Sequence, residues 1–143
     1  MAAGQSTVLI VEDEDGIRKL CRRVLEQAGI RVLEAHHAEQ AMAILCSFTG
    51  ISLLVTDVRM PRMTGPQLVQ EIHPSYPDLR VLYMSGDPNG DPLLRRHMAE
   101  WDCGFLAKPF PATTFVRAVQ KLLTTPQGAQ AVLRARDARR SLR

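Results

Sequence analysis

The chain has 143 residues, of which 45% are hydrophobic, and its formal net charge is +3 at pH 7. This length and composition are sufficient for one domain with its own hydrophobic core and a short extension. The apolar runs are too short for a membrane-spanning helix, and the N-terminal residues MAAGQST lack the pattern of a signal peptide, so we expect a cytoplasmic protein.

The positive charge is concentrated at the C-terminus. Residues 126–143 hold five arginines and one aspartate, whereas residues 1–125 are close to neutral. We therefore expect a solvated basic tail, and the charge of the remaining chain gives no indication of direct nucleic-acid binding.

The cysteines and histidines predict no metal site. The three cysteines are far apart and include no CxxC pair, which argues against both a zinc site and a disulfide framework. We expect all three to be buried, as free cysteines usually are. The four histidines, at positions 36, 37, 73 and 97, show no ligand spacing, and we expect them at the surface.

The first half of the chain predicts two strands, each followed by a helix. The first strand is TVLIV at residues 7–11, a β-branched apolar run that leads into the acidic run EDED. The next helix has apolar residues at a spacing that predicts one buried face: Ile17, Leu20, Cys21, Val24, Leu25 and Ala28. Gly29 is typical of the residue after a helix C-terminus. The segment IRVLEA predicts the second strand, and residues 38–48 have the apolar spacing of a second helix.

The second half predicts three further strands and three helices. The strands are ISLLVTD, LRVLYMS and CGFLA, at residues 51–57, 79–85 and 103–107. The third helix opens at Gly65 and should end near His73, because a proline follows. Prolines and glycines in residues 86–92 predict a loop before a short fourth helix at residues 93–100. The fifth helix should end before Pro126.

These five strands alternate with five helices and predict an α/β domain. The strands are apolar without clean alternation, which is typical of a parallel sheet buried on both faces. Right-handed crossovers then place helices on both faces, in a doubly wound fold. We expect this domain at residues 7–124, between an N-terminal extension at residues 1–6 and the basic C-terminal tail at residues 125–143.

Polar residues collect at the carboxyl ends of the predicted strands, where doubly wound sheets bind ligands. Glu12 and Asp13 close the first strand, Asp57 closes the third, Ser85 the fourth and Lys108 the fifth. Three neighbouring carboxylates repel one another, and a hard cation such as Mg²⁺ would relieve this. Carboxylates, a lysine and a hydroxyl around one point predict a phosphoryl-transfer site, in which positioning and charge neutralisation do most of the catalysis.

Four motifs that occur in order, VLIVEDE, VTDVRMPRMTG, LYMSG and FLAKPF, resemble the receiver domains of two-component response regulators, including receivers attached to hybrid sensor histidine kinases. The resemblance extends over residues 7–124. It implies a flavodoxin-like sheet with strand order 2-1-3-4-5. It also implies a bacterial phosphorelay protein that is not an ordinary enzyme, because it is itself the substrate and resets by hydrolysis.

The resemblance implies a phosphoacceptor and a metal site. Asp57 would take a phosphoryl group from the phosphohistidine of a histidine kinase or a histidine phosphotransfer protein. Asp13 would hold Mg²⁺ directly, together with Asp57, and Glu12 would hold it through water. The backbone carbonyl of Arg59, two residues after the acceptor, would be a further ligand.

The resemblance also implies a switch. Lys108 would pair with the acceptor or the phosphoryl group, and its peptide bond to Pro109 would be cis. Ser85 would bind a phosphoryl oxygen, and Phe105 would turn into the space that Ser85 vacates. The face made by the fourth helix, fifth strand and fifth helix would then change shape and bind a downstream protein target, or a second copy in a homodimer.

Two alternative functions agree less well with these residues. A phosphatase of the haloacid-dehalogenase type requires a second aspartate two residues after its nucleophile, and Arg59 at that position argues strongly against it. A phosphate-independent interaction module with a receiver fold would not need the complete set of acids, serine and lysine. A membrane partner is not expected.

The chain departs from the usual pattern in two places. The segment after Ser85 is rich in proline and glycine, so we expect a fourth helix that is short, shifted or mobile. Arg59 and Asp87 each lie two residues after a site residue, Asp57 and Ser85 respectively. We expect these two to form an ion pair across the entrance and to modulate the access of water to the acyl phosphate.

Overall fold

The computed structural model describes residues 6–87, 90–101 and 103–124. In these ranges strands and helices alternate. The elements are β1 (Thr7–Val11), α1 (Asp15–Gln27), β2 (Arg31–Ala35), α2 (Ala38–Ser47), β3 (Ile51–Asp57), α3 (Gly65–Ile72), β4 (Arg80–Ser85), α4 (Pro92–Glu100), β5 (Cys103–Ala107) and α5 (Ala112–Thr124). The basic tail and its predicted properties lie outside the described residues.

The five strands form one parallel sheet in the order β2-β1-β3-β4-β5. Helices α1 and α5 pack on one face of the sheet. Helices α2, α3 and α4 pack on the other face. Because both faces are covered, β1 is buried along its whole length and β4 along nearly all of it. The predicted doubly wound α/β fold, with strand order 2-1-3-4-5, is confirmed. None of the described helices combines the length and apolar character that crossing a bilayer requires.

The predicted burial of the α1 face is wrong at two residues, because Leu20 and the C-cap residue Ala28 are both exposed. Leu20 is 58% exposed, whereas Cys21 and Leu25 are buried as expected. At about 100° per residue, Leu20 lies about 60° beyond Ile17, outside the arc that reaches the sheet. The third fully buried position of α1 is Arg18, a residue that hydropathy alone assigns to the surface.

The predicted burial of cysteines and histidines is also wrong at two positions. Cys21 and Cys103 are buried, but Cys46 is exposed, because it lies one residue past the inward-facing Leu45 on α2. His97 is only 1% exposed, since it lies on the inner side of α4.

Helix α4 forms at Pro92–Glu100, one residue earlier than predicted. The Asp91 side chain accepts hydrogen bonds from the backbone N–H groups of Leu93 and Leu94, at 2.8 and 3.2 Å. Pro92 stands in the first turn, where a missing N–H is tolerated and the fixed φ favours the helix. Pro92 therefore lies at the start of the helix and does not interrupt it.

Candidate functional site

The carboxyl ends of four strands bring the predicted polar residues to one edge of the sheet. Asp13, Asp57, Ser85 and Lys108 line one open pocket. Glu12 lies beneath it and is fully buried. All five side chains that the sequence placed at strand ends are therefore neighbours, because parallel strands present their carboxyl ends at the same edge.

The three acids form a compact cluster. One carboxylate oxygen from each of Glu12, Asp13 and Asp57 lies within 4.8 Å of the others. Burial, reinforced by the charge of Asp57, raises the pKa of Glu12 to about 7. Burial also raises the pKa of Asp57; Lys108 opposes this rise and the charge of Asp13 adds to it. The cluster thus carries more negative charge than the protein alone solvates well.

Lys108 lies between the two buried acids. Its Nζ is 3.0 Å from Oε2 of Glu12 and 3.2 Å from Oδ2 of Asp57. Burial opposes the charged form, but the hydrogen bond to Glu12 and the charge of Asp57 outweigh it and raise the pKa of Lys108, so the ammonium stays charged. The peptide bond to Pro109 is cis. The lysine offsets one of the negative charges at the centre of the site.

The loop after Asp57 folds back so that α3 begins against it. The N–H of Gly65 donates to the Val58 carbonyl at 2.8 Å. A Cβ at position 65 would overlap the backbone carbonyl oxygen of Asp57, so only glycine permits this approach. Thr64 and Gln67 close the helix start as a capping box. The backbone of Asp57 is therefore in close contact with the first residue of α3.

The two predicted switch residues lie on adjacent strands. The Ser85 hydroxyl donates to the Asp87 carbonyl at 3.2 Å and accepts from the Asp87 N–H at 3.0 Å. Phe105 is half-buried and lines an apolar hollow with Leu94 and Met98 of α4. In this structure the serine is thus bound to its own loop and not to the acid cluster.

The predicted ion pair at the entrance is present. Nη2 of Arg59 is 3.5 Å from Oδ2 of Asp87, and both residues line the pocket. The side chains are 77% and 53% exposed, so their attraction is largely screened by solvent.

Sequence reasoning missed two residues around the site. Arg18 is 3% exposed, and its Nη1 donates to the backbone carbonyl of Glu12 at 2.9 Å. Gly65 was identified only as a helix start, not as the point of closest approach to Asp57. The only sequence signal for Arg18 is an arginine next to Ile17, at the border of the predicted buried face of α1.

Comparison with known proteins agrees with this geometry. Residues 8–120 match the family described as response regulator receiver domain. The response regulator receiver protein CpdR of Brucella abortus is 30% identical over 122 residues, which are 81% of this chain and 95% of that protein. The sensor kinase CckA of the same organism is 36% identical over 122 residues, 85% of this chain but 13% of that protein. The chain likewise spans 25% of the transcriptional regulatory protein DctD of Pseudomonas aeruginosa, at 32% identity over 121 residues, which are 83% of this chain.

Solved structures show the same fold. The receiver domain from the hybrid histidine kinase CckA aligns with a TM-score of 0.68 and 31% identity, covering 83% of this chain and all of that one. The chemotaxis protein CheY4 of Vibrio cholerae aligns with a TM-score of 0.75 and 27% identity, covering 84% of this chain and all of that one. The chain therefore belongs to the response regulator receiver domain family and is a phosphoacceptor domain of two-component signalling.

Proposed function

We propose that Asp57 is the phosphoacceptor and that its phosphoryl donor is a phosphohistidine of a histidine kinase or histidine phosphotransfer protein. The observation that carries this proposal is the contrast between the two acids bound to Lys108. The Glu12 side chain is 0% exposed, whereas that of Asp57 is 12% exposed and opens into the pocket. Asp57 is thus the acid of this pair that a donor can reach.

The proposed reaction is a displacement at phosphorus. An Asp57 oxygen forms a bond to phosphorus while the phosphorus–nitrogen bond to the donor imidazole breaks, and the imidazole nitrogen keeps the electron pair. Lys108, already bound to Oδ2 of Asp57, is placed to bind an oxygen of the incoming phosphoryl group. Water later hydrolyses the acyl phosphate to inorganic phosphate and Asp57, so the protein resets itself and acts as a substrate rather than a turnover enzyme.

We further propose that Mg²⁺ is the cofactor, held directly by the carboxylates of Asp13 and Asp57 and the backbone carbonyl of Arg59, and through water by the carboxylate of Glu12. The residues fit this ion, since three carboxylate oxygens within 4.8 Å of one another are the hard ligands that Mg²⁺ prefers. When bound, Mg²⁺ supplies positive charge that stabilises the charge on the phosphoryl oxygens.

The proposed output is a change in the face formed by α4, β5 and α5. Phosphorylation adds nearly two negative charges beside Ser85. We expect the Ser85 hydroxyl to leave the backbone of Asp87 for a phosphoryl oxygen, and Phe105 to turn inward. The apolar hollow beside Phe105, which includes Leu94 and Met98, supports this face as the binding surface for a downstream protein or a second copy. We also propose domain limits at residues 7–124; β1 begins at Thr7, and α5 extends to Thr124, the last residue that the structure describes.

The acceptor is tested by incubation with acetyl phosphate and Mg²⁺, followed by mass spectrometry of the intact chain. We expect a gain of one phosphoryl group in the wild type and none in Asp57→Asn. Asp78→Asn, which removes an acid before β4 at the opposite end of the strands, is the matched control and should gain the group normally. A phosphate-independent interaction module would show no gain in any variant, and a gain that persists in Asp57→Asn would exclude Asp57 as the acceptor.

The switch is tested with the chain's single tryptophan, Trp101, at the end of α4. Its ring stacks on His73 at the end of α3, at a centroid distance of 3.9 Å, so a shift of α4 relative to α3 should change its fluorescence. We expect the emission to change on phosphorylation of the wild type and to change much less in Ser85→Ala that carries the same amount of phosphate. Equal changes in both proteins would contradict the role of Ser85.

A further inference from the structure

A buried arginine lies directly behind the acid cluster. Arg18 is 3% exposed, although arginine is seldom fully buried unless it is paired. Its Nη1 donates to the backbone carbonyl oxygen of Glu12 at 2.9 Å. This carbonyl belongs to the peptide group that joins Glu12 to Asp13, so the guanidinium contacts the backbone that carries two of the three clustered carboxylates.

The other donors of Arg18 fix it in place. Nε donates to Oε1 of Glu34 on β2 at 3.0 Å, and Nη2 donates to Oδ1 of Asp15 at 2.6 Å. The N–H of Glu12 in turn donates to the carbonyl of Ala35 at 3.1 Å. β1 ends at Val11, so Glu12 lies beyond the strand. Its N–H is nevertheless held by β2 and its carbonyl by Arg18.

The charge of Arg18 is balanced by its own partners. Burial opposes ionisation of Glu34, but its hydrogen bonds from Arg22 and Arg18 outweigh this and lower the pKa of Glu34. Nη2 of Arg18 likewise forms an ion pair with Oδ1 of Asp15 at 2.6 Å. The guanidinium therefore faces two carboxylates of its own, and its effect on a bound cation should be geometric rather than repulsive.

We propose that Arg18 is a positioning residue of the metal site: by holding the Glu12–Asp13 peptide group, it orients two carboxylates toward a bound Mg²⁺. This inference rests on the proposed function, because it takes these acids to be metal-binding. A planar guanidinium with donors in three directions matches three partners at once, which a lysine ammonium on a flexible stem does not. Residues behind metal ligands commonly change metal affinity by about 10–100-fold when they are replaced.

The chain provides a matched control one turn further along α1. Arg22 donates to the other oxygen of Glu34 at 2.5 Å and forms an ion pair with Glu26 at 3.3 Å, but its side chain is 46% exposed. Arg22→Met removes an arginine of the same helix that also binds Glu34. The hydrogen bond from Arg18 to the Glu12 carbonyl is left in place.

The test is isothermal titration of Mg²⁺ into the full chain, with circular dichroism to confirm folding. We expect Arg18→Met and Arg18→Lys to weaken Mg²⁺ binding by about tenfold or more. Arg22→Met should stay within about twofold of the wild type, because an exposed pair contributes little. Phosphorylation by acetyl phosphate should require more Mg²⁺ in the Arg18 variants and approach the wild-type rate when Mg²⁺ is saturating. Val119→Ala, in the core on the α5 side, lowers stability without touching the site and should bind Mg²⁺ normally.

Several results would overturn the proposal. Unchanged or tighter Mg²⁺ binding by Arg18→Met would show that the guanidinium is a bystander or a repulsive charge. If neither Arg18 variant folds even in excess Mg²⁺, the residue is structural and the positioning role is rejected. Asp13→Asn separates this inference from the proposed function: if the wild type binds no Mg²⁺, or Asp13→Asn binds it equally well, the metal site itself is wrong.

Discussion

Glu12 and Asp57 share one lysine but differ in what can reach them. Burial raises the pKa of both acids, and that of Glu12 to about 7. Only Asp57 of this pair opens into the pocket, which makes it the acceptor candidate, while Glu12 contributes charge from beneath. Lys108 keeps both carboxylates close in spite of their repulsion.

The Arg59–Asp87 pair gives a prediction for the lifetime of the acyl phosphate. Both residues line the open pocket that holds Asp57, and we expect their pairing to restrict the access of water, so Arg59→Ala and Asp87→Ala should each speed autodephosphorylation by more than about twofold. The effect should stay below about fivefold, because exposed pairs contribute less than about 1 kcal/mol. The rate is measured as loss of the phosphorylated mass with time.

Arg62→Ala is the control for this prediction. The Arg62 side chain is also 77% exposed, and it forms an ion pair with Glu39 at 3.9 Å. Neither residue lines the described pocket. Its dephosphorylation rate should match the wild type. Rates in the Arg59 and Asp87 variants that stay within twofold of the wild type would refute a gating role.

His97 predicts a pH dependence of stability. Its Nδ1 lies 2.7 Å from the Tyr83 hydroxyl and its Nε2 3.0 Å from Oε1 of Gln70. Burial lowers the pKa of His97 to about 4, so the unfolded chain binds more protons between pH 4 and the unfolded pKa near 6.5. Stability from this residue is therefore complete above pH 6.5 and is lost as the pH falls toward 4, by up to about 3 kcal/mol.

The measurement is urea unfolding at pH 7 and pH 5. His97→Gln should be less stable than the wild type at pH 7 and should show a smaller loss between the two pH values. His36→Gln, which changes a side chain that is 54% exposed, should keep the wild-type slope. An equal pH slope in His97→Gln would exclude His97 as the titrating group.

At the scale of elements, two helical glycines are expected to respond in opposite ways to alanine. A Cβ at Gly65 would overlap the Asp57 carbonyl, which is backbone and cannot move aside easily, whereas a Cβ at Gly16 meets nothing within 4 Å. Gly65→Ala should destabilise the domain by about 1–3 kcal/mol and slow phosphorylation, because α3 or Asp57 must shift. Gly16→Ala should be neutral or stabilising by up to about 1 kcal/mol, since alanine favours the helix. Thermal unfolding and acetyl phosphate labelling check both, and equal effects would contradict the close approach.

Helices α1 and α4 show how far the pattern of one element can be read. The sequence predicted α1 from apolar spacing and α4 from its place after a proline- and glycine-rich loop, with bounds within a residue or two. It did not predict the outward position of Leu20 or the inward position of His97. Periodicity sets which residues share a face, but the width of the buried arc depends on what packs against the helix.

At the scale of the whole molecule, metal binding should be coupled to folding. A cation that binds only the assembled cluster stabilises the native state, by about 2.7 kcal/mol at a concentration 100 times its Kd. Thermal unfolding should therefore shift upward with Mg²⁺, and EDTA should reverse the shift. Asp13→Asn should lose most of it, whereas Asp78→Asn should keep it. A midpoint that does not depend on Mg²⁺ would contradict the metal site.

The sequence by itself determined the alternation of strands and helices, and hence the parallel sheet. It also placed Glu12, Asp13, Asp57, Ser85 and Lys108 at strand ends, and parallel topology brings such ends to one edge whatever the details of packing. The position of the candidate site was therefore predictable from local patterns, whereas the roles proposed for its residues come from the family resemblance.

Only the tertiary structure decided which polar side chains are buried and which groups form their hydrogen bonds. Arg18 can be buried because it forms hydrogen bonds with Glu34 of β2 and with the backbone carbonyl of Glu12. His97 can be buried because it forms hydrogen bonds with Tyr83 and Gln70. Glu34, Tyr83 and Gln70 lie 14 to 27 residues away in sequence from the side chains that they bind, and hydropathy ranks each residue without them. A buried charge or imidazole requires hydrogen bonds from several segments at once, so its position is a property of the assembled fold.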